Sequence, residues 1–220
     1  MRRPRLLLIA LACVLASFGF AAPVVAGGHE GYKETGVTVE ASQEVCSSDG
    51  TSCDFAYIYA FVGKSKDLGD VFYGGTYSQK VLYTRDHATF DSAGNFLGST
   101  GVIGAVFDMG TIAASGVQSL NLAPTTIAVH SYTCDPGEPF CTPTGDAGTV
   151  VVEGRWTGVG PTTKHKNKSR IRDDACVEIN RDKGQSRAAQ FSGTVGGVAF
   201  VPTAATILEG TILFKWKCKP

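Results

Sequence analysis

Residues 206–217 read TILEGTILFKWK, and their alternation decides how the rest of the chain is read. Leu208, Ile212, Phe214 and Trp216, with Cys218 just beyond, fall on one side of an extended chain. Glu209, Thr211, Lys215 and Lys217 fall on the other. Successive side chains of a strand point to opposite faces, so this stretch predicts a half-buried strand with one wet side. Working outward, similar short runs occupy 36–43, 54–63, 79–85, 88–91, 96–109, 117–121, 125–133, 149–157, 175–181, 188–194 and 197–202. Turn formers separate them, as in DSAGN at 91–95, and a helical period of 3.6 is hard to find anywhere. The expected fold is all-β: a single-domain, disulfide-stabilised β-sandwich of about ten to twelve short strands. A closed β-barrel is the alternative.

The N-terminal stretch MRRPRLLLIALACVLASFGFAAPVVAGG begins with three arginines, continues with an apolar run, and ends in small residues. That pattern is a secretory signal peptide over residues 1–26, leaving one all-β domain over 27–220 with no membrane span after cleavage. The predicted localisation is secreted, or extracytoplasmic. The whole chain is neutral, with 20 basic and 20 acidic residues, but it is electrically lopsided. From 27 to 163 there are 6 basic and 15 acidic residues; from 164 to 220 there are 11 basic and 5 acidic. Such asymmetry speaks to partners rather than to fold.

Six cysteines follow the leader: Cys46, Cys53, Cys134, Cys141, Cys176 and Cys218. An even number in an exported chain predicts disulfides. CSSDGTSC and CDPGEPFC each enclose a tight turn, which pairs Cys46 with Cys53 and Cys134 with Cys141, and leaves Cys176 for Cys218. No CxxC or paired histidine accompanies them, so no metal is expected.

KHKNKSRIR at 164–172 sets a cation at every second position: Lys164, Lys166, Lys168, Arg170 and Arg172. On a strand these form one ridge with a repeat of about 6.6–6.8 Å. That ridge suits an extended polyanion; equally, it suits a solvated edge whose lysines deter strand pairing. If Cys176 and Cys218 pair, Lys215, Lys217 and Lys219 join it in one patch. A second pattern, FAYIYAFVG, aligns Phe55, Tyr57, Tyr59 and Phe61, either as an aromatic platform for a ligand or as core. Asp86 and His87 are the nearest thing to an acid–base pair. GxSxG, HExxH and phosphate-loop patterns are absent from the chain.

The sequence therefore predicts a secreted, non-enzymatic binding protein without a cofactor. Its expected partner is an anionic glycan, an envelope polymer or a nucleic acid. A small-ligand or structural β-barrel using residues 55–61 is the alternative, and an enzyme with a site at Asp86 and His87 is the third reading.

Overall fold

A computed structural model describes residues 29–67, 76–137, 141–172 and 176–218. The leader, Tyr73, Asp173, Asp174 and Lys219 lie outside the described residues. The fold is all-β, with ten strands: β1 (His29–Cys46), β2 (Ser52–Asp67), β3 (Gln79–Phe90), β4 (Phe96–Phe107), β5 (Ile112–Ser115), β6 (Ser119–Cys134), β7 (Thr142–Arg172), β8 (Cys176–Val195), β9 (Val198–Ala199) and β10 (Ala204–Cys218). They form one antiparallel sheet in the order β10-β1-β2-β3-β4-β6-β7-β8-β9, with β5 added alongside β6.

The sheet also returns on itself, because β10 pairs with β8 as well as with β1. Residues of opposite strands pack across one core inside this closed path of ladders, in keeping with the expected all-β fold. The core includes Val37, Val39 and Ala41 of β1, Ile58 and Ala60 of β2, Val81 and Tyr83 of β3, Leu120, Leu122, Ile127 and Val129 of β6, Val152 and Trp156 of β7, and Ile207 of β10, with Val102 and Val106 of β4 and Phe191 of β8 packed against it. Trp156 is fully buried, stacks edge-on to Phe191 at 4.6 Å, and donates its indole N–H to the Glu40 carbonyl at 3.0 Å. Removing such a side chain costs about 3–5 kcal/mol.

At one end of the ring, tight turns join β1 to β2 and β3 to β4, and the end of β6 pairs with the start of β7. Cys46–Cys53 and Cys134–Cys141 are disulfide-bonded there, as the spacing implied. The Asp49 carboxylate organises the first turn. It accepts from the Ser47 hydroxyl at 2.7 Å and from the Thr51 N–H and hydroxyl at 3.0 and 2.9 Å. These hydrogen bonds, the Ser47 hydroxyl foremost, hold its pKa down at about 2. Asp91 does the same for the β3–β4 turn, accepting from the N–H groups of Ala93 and Asn95. The opposite end carries no such staple among the described bonds, and there the ladders of β3 and β6 stop short of their neighbours.

Candidate binding face

The described β2–β3 ladder ends at Val62↔Gln79, with the Gly63 and Ser65 N–H groups still donating to the Ser78 and Tyr77 carbonyls, and the described β6–β7 ladder ends at Ser119↔Thr157. Five strands run on past that limit: the far halves of β7, β8, β10, β1 and β2. Their registers are unbroken from Thr163↔Ser186, Thr206↔Ala188, Thr38↔Leu208 and Thr38↔Phe61 outward. A row of glycines marks where this extension leaves the ring: Gly184↔Gly210, Gly210↔Gly36 and Gly36↔Gly63 are direct partners. A Cβ added to Gly36, Gly63, Gly184 or Gly210 would lie 2.2 to 2.4 Å from a neighbouring carbonyl oxygen. Only hydrogen fits at this crease, where adjacent backbones approach closely.

Alternation fixes what stands on either side of the extension. The face continuing the core side carries Lys164, Lys166, Lys168, Arg170 and Arg172 on β7. Opposite them on β8 stand Gln185, Lys183, Arg181, Ile179 and Val177. These in turn face Glu209, Thr211, Leu213, Lys215 and Lys217 on β10. Thr211 and Leu213 face Thr35 and Lys33 on β1, which face Lys64 and Lys66 on β2. Strands about 4.8 Å apart and side chains repeating about every 6.7 Å make this a cationic grid roughly 19 Å wide and 27 Å long.

The cations of β7, with Arg181, Lys183, Lys33, Lys64 and Lys66, are exposed, and Lys215 is half-buried. Among the described residues, the contacts between a basic and an acidic side chain are His87–Asp54, His130–Asp146 and His165–Asp182, and none engages a Lys or Arg of the grid. The reverse face gathers the opposite sign. His165 binds Asp182 at 2.9 Å, and Asn180 donates to Glu178. Tyr32 stacks on Phe214 with ring centroids 5.9 Å apart. Buried Glu34 accepts from the hydroxyls of Tyr59, at 2.7 Å, and Tyr77.

The structure thus brings the five cations of 164–172 and Lys215 onto one face and gives Lys217 a register position in line with them. Ile207 is a correction to the wet-side reading of the last strand. It shares the side of Glu209 and is fully buried, because that side faces the core before Gly210 and becomes the cationic face after it. The sequence reading missed Lys33, Lys64, Lys66, Arg181 and Lys183. A signal was present: KSK at 64–66 and RDK at 181–183 repeat the same spacing of two.

The other motifs occupy different ground. Phe55, Tyr57, Tyr59 and Phe61 point to the outer side of β2, and Ala56, Ile58, Ala60 and Val62 line the interior. Phe61 and Tyr57 are buried, Phe61 against Tyr77 and Tyr77 against Phe107. Burial, followed by the charge of Glu34, pushes the Tyr59 and Tyr77 phenols well up. Asp86 and His87 are neighbours on β3 and so face opposite ways. His87 is exposed beside Asp54 at 3.1 Å, in an open recess of about 510 Å³ with Arg85, Thr100 and Thr133. Asp86 is buried at the outer side with Oδ1 lacking a hydrogen-bond partner, and burial raises its pKa.

Among the described residues, the one grouping with metal-ligand spacing is Glu44, Cys46 and Cys53, whose sulfurs are already bonded to each other. Cys218 stands directly opposite Cys176 in the β10–β8 ladder, the relation that Cys46 has to Cys53. No described helix is long and apolar enough to cross a membrane. No family model matches the chain, and no curated protein or solved structure is significantly similar to it.

Proposed function

We propose that this is an exported protein that acts by binding an anionic polymer or surface through the cationic face of the five-strand extension. One observation carries the reading: cations from five strands share a face, and among the described residues no carboxylate pairs with them. Charges held side by side at spacings of about 5–7 Å repel one another. A polyanion relieves that repulsion and releases its own counterions on binding. The two disulfides favour an oxidising, extracytoplasmic setting, in keeping with the leader sequence. An interior ligand finds less support, because the ring is filled by Trp156, Ile58, Leu120 and their neighbours.

The test is retention of the oxidised protein, with residues 1–26 removed, on immobilised polyphosphate across a salt series. Lys164/Lys166/Lys168→Glu on β7 and Lys64/Lys66→Glu on β2 are run beside it. The expected result is retention near physiological salt, with a salt slope that shrinks in both variants. Loss in the β7 variant alone would reduce the site to an edge ridge. Flow-through of the unaltered protein near physiological salt would sink the reading.

A further inference from the structure

Beyond the Gln185, Glu209, Thr211 and Thr35 positions, the cationic face is interrupted by aliphatic side chains. Val177 and Ile179 of β8 and Leu213 of β10 are half-buried and run diagonally across the middle of the face. Arg172 stands opposite Val177, Arg170 opposite Ile179, and Lys215 on the other side of Ile179. Arg181 and Lys33 flank Leu213. The vein is hemmed by positive charge on each of these sides. Among the described residues no Phe, Tyr or Trp shares the face, since Tyr32 and Phe214 stack together on the reverse.

Each polyanion makes its own demand on such a surface. Single-stranded nucleic acid is held by rings on which bases stack, and sugar rings favour flat aromatic platforms. This face offers neither. A partner polar throughout would also press hydrated anions onto Val177, Ile179 and Leu213, and that desolvation gains nothing. An assembly of anionic headgroups over hydrocarbon answers both parts: headgroups meet the grid, and the vein meets the first methylenes beneath them. We infer that the anionic partner is a lipid surface, a bilayer rich in anionic phospholipid that the extension lies against with its core-side face. This rests on the reading above, and it narrows the partner to one class.

The experiment pairs two probes on the same oxidised protein lacking residues 1–26; every described ladder begins at or after His29, so the fold is retained. Flotation with phosphatidylcholine vesicles, with and without about 30 mol % phosphatidylglycerol, is run beside retention on immobilised polyphosphate. An Ile179→Thr/Leu213→Thr variant removes two of the vein's three side chains and keeps strand-forming residues; a Lys64/Lys66→Gln variant removes cations on the far strand. Matching circular dichroism and melting curves establish that both are folded. Anionic vesicles should capture the protein at least about tenfold better than neutral ones. The threonine variant should lose about tenfold on vesicles while keeping its polyphosphate retention, and the glutamine variant should weaken on both. Retention on polyphosphate without vesicle capture overturns the lipid inference and leaves the polyanion reading standing. So does vesicle capture that the threonine variant does not change. Failure on both probes removes both.

Discussion

The two ends of the ring handle charge in opposite ways. At the turn-bearing end four carboxylates are engaged: Asp49 and Asp91 each hold a turn through N–H and side-chain donors, and Asp54 and Asp146 each bind a histidine on a neighbouring strand. Two disulfides close that end as well. At the other end, exposed lysines and arginines crowd one face, and among the described residues none is paired with an acid; Glu209, on the core-proximal row of that face, accepts from Gln185 instead. Charge that serves the fold has its partner within the chain. Charge without one carries a repulsive cost, and a surface keeps it where something outside supplies the counter-charge.

The comparison can be broken most forcefully at the crease. Gly210→Val or Gly36→Val drives a side chain into a carbonyl oxygen 2.2 to 2.4 Å from its Cβ, and should cost more than about 3 kcal/mol in urea unfolding. A cost below about 1 kcal/mol would mean that the row is incidental. Next comes the stapled end. Replacing Cys46 and Cys53 by serine opens a loop of about eight residues and should cost about 2.5 kcal/mol. Polyphosphate retention should be unchanged, because the loop lies at the far end from the grid. Peptide mapping without reductant should also recover a Cys176–Cys218 bridge at the cationic end, and free thiols there would remove that expectation.

Acid titration sharpens the contrast among the carboxylates. The pKa of Asp49 is lower in the folded chain, so its contribution is complete above its ordinary value near 3.8 and is lost as pH falls towards about 2. Asp49→Asn should therefore flatten the acid limb of the stability curve. Asp86 has the opposite sign: its raised folded pKa means that ionisation opposes folding and that protonation on acidification relieves the cost. Asp86→Asn should raise the melting temperature by about 2–4 °C at neutral pH, with the gain vanishing on acidification. A gain that persists in acid would trace to packing instead. The smallest effect is expected at the grid itself, where Lys64→Gln and Lys66→Gln should change stability by less than about 0.5 kcal/mol while weakening binding.

The all-β class was legible because alternation of period two is written into each strand, and the two short disulfides because their turns are local. Strand boundaries were harder. Residues 117–121 and 125–133 read as two strands because Pro124 lies between them. In the fold they are one, with the proline at a register shift between Leu122 and Thr125, where a missing N–H is tolerated. Residues 175–181 and 188–194 likewise merge through the polar DKGQSR stretch, where exposed Lys183 of β8 and the exposed cations of β7 stand in water and no apolar alternation marks the strand. The cationic spacing was visible strand by strand. What joined those pieces into a face was the register of β1 against β10 and of β10 against β8. Pairings between residues so distant in the chain are fixed by packing of the whole core, which no local pattern encodes.

The β1–β10 ladder has one more consequence. His29 stands opposite Lys217, so the first and last described strands lie side by side, and the circuit has no privileged starting point. A permuted chain, cut within the exposed 91–95 turn and joined through a short linker between the old ends, would preserve every strand pairing and every disulfide partner. It would also turn the most distant pairing in the chain into a neighbouring hairpin. Its refolding rate, measured against that of the original order, would report how much of the folding time is search for that one long-range seam.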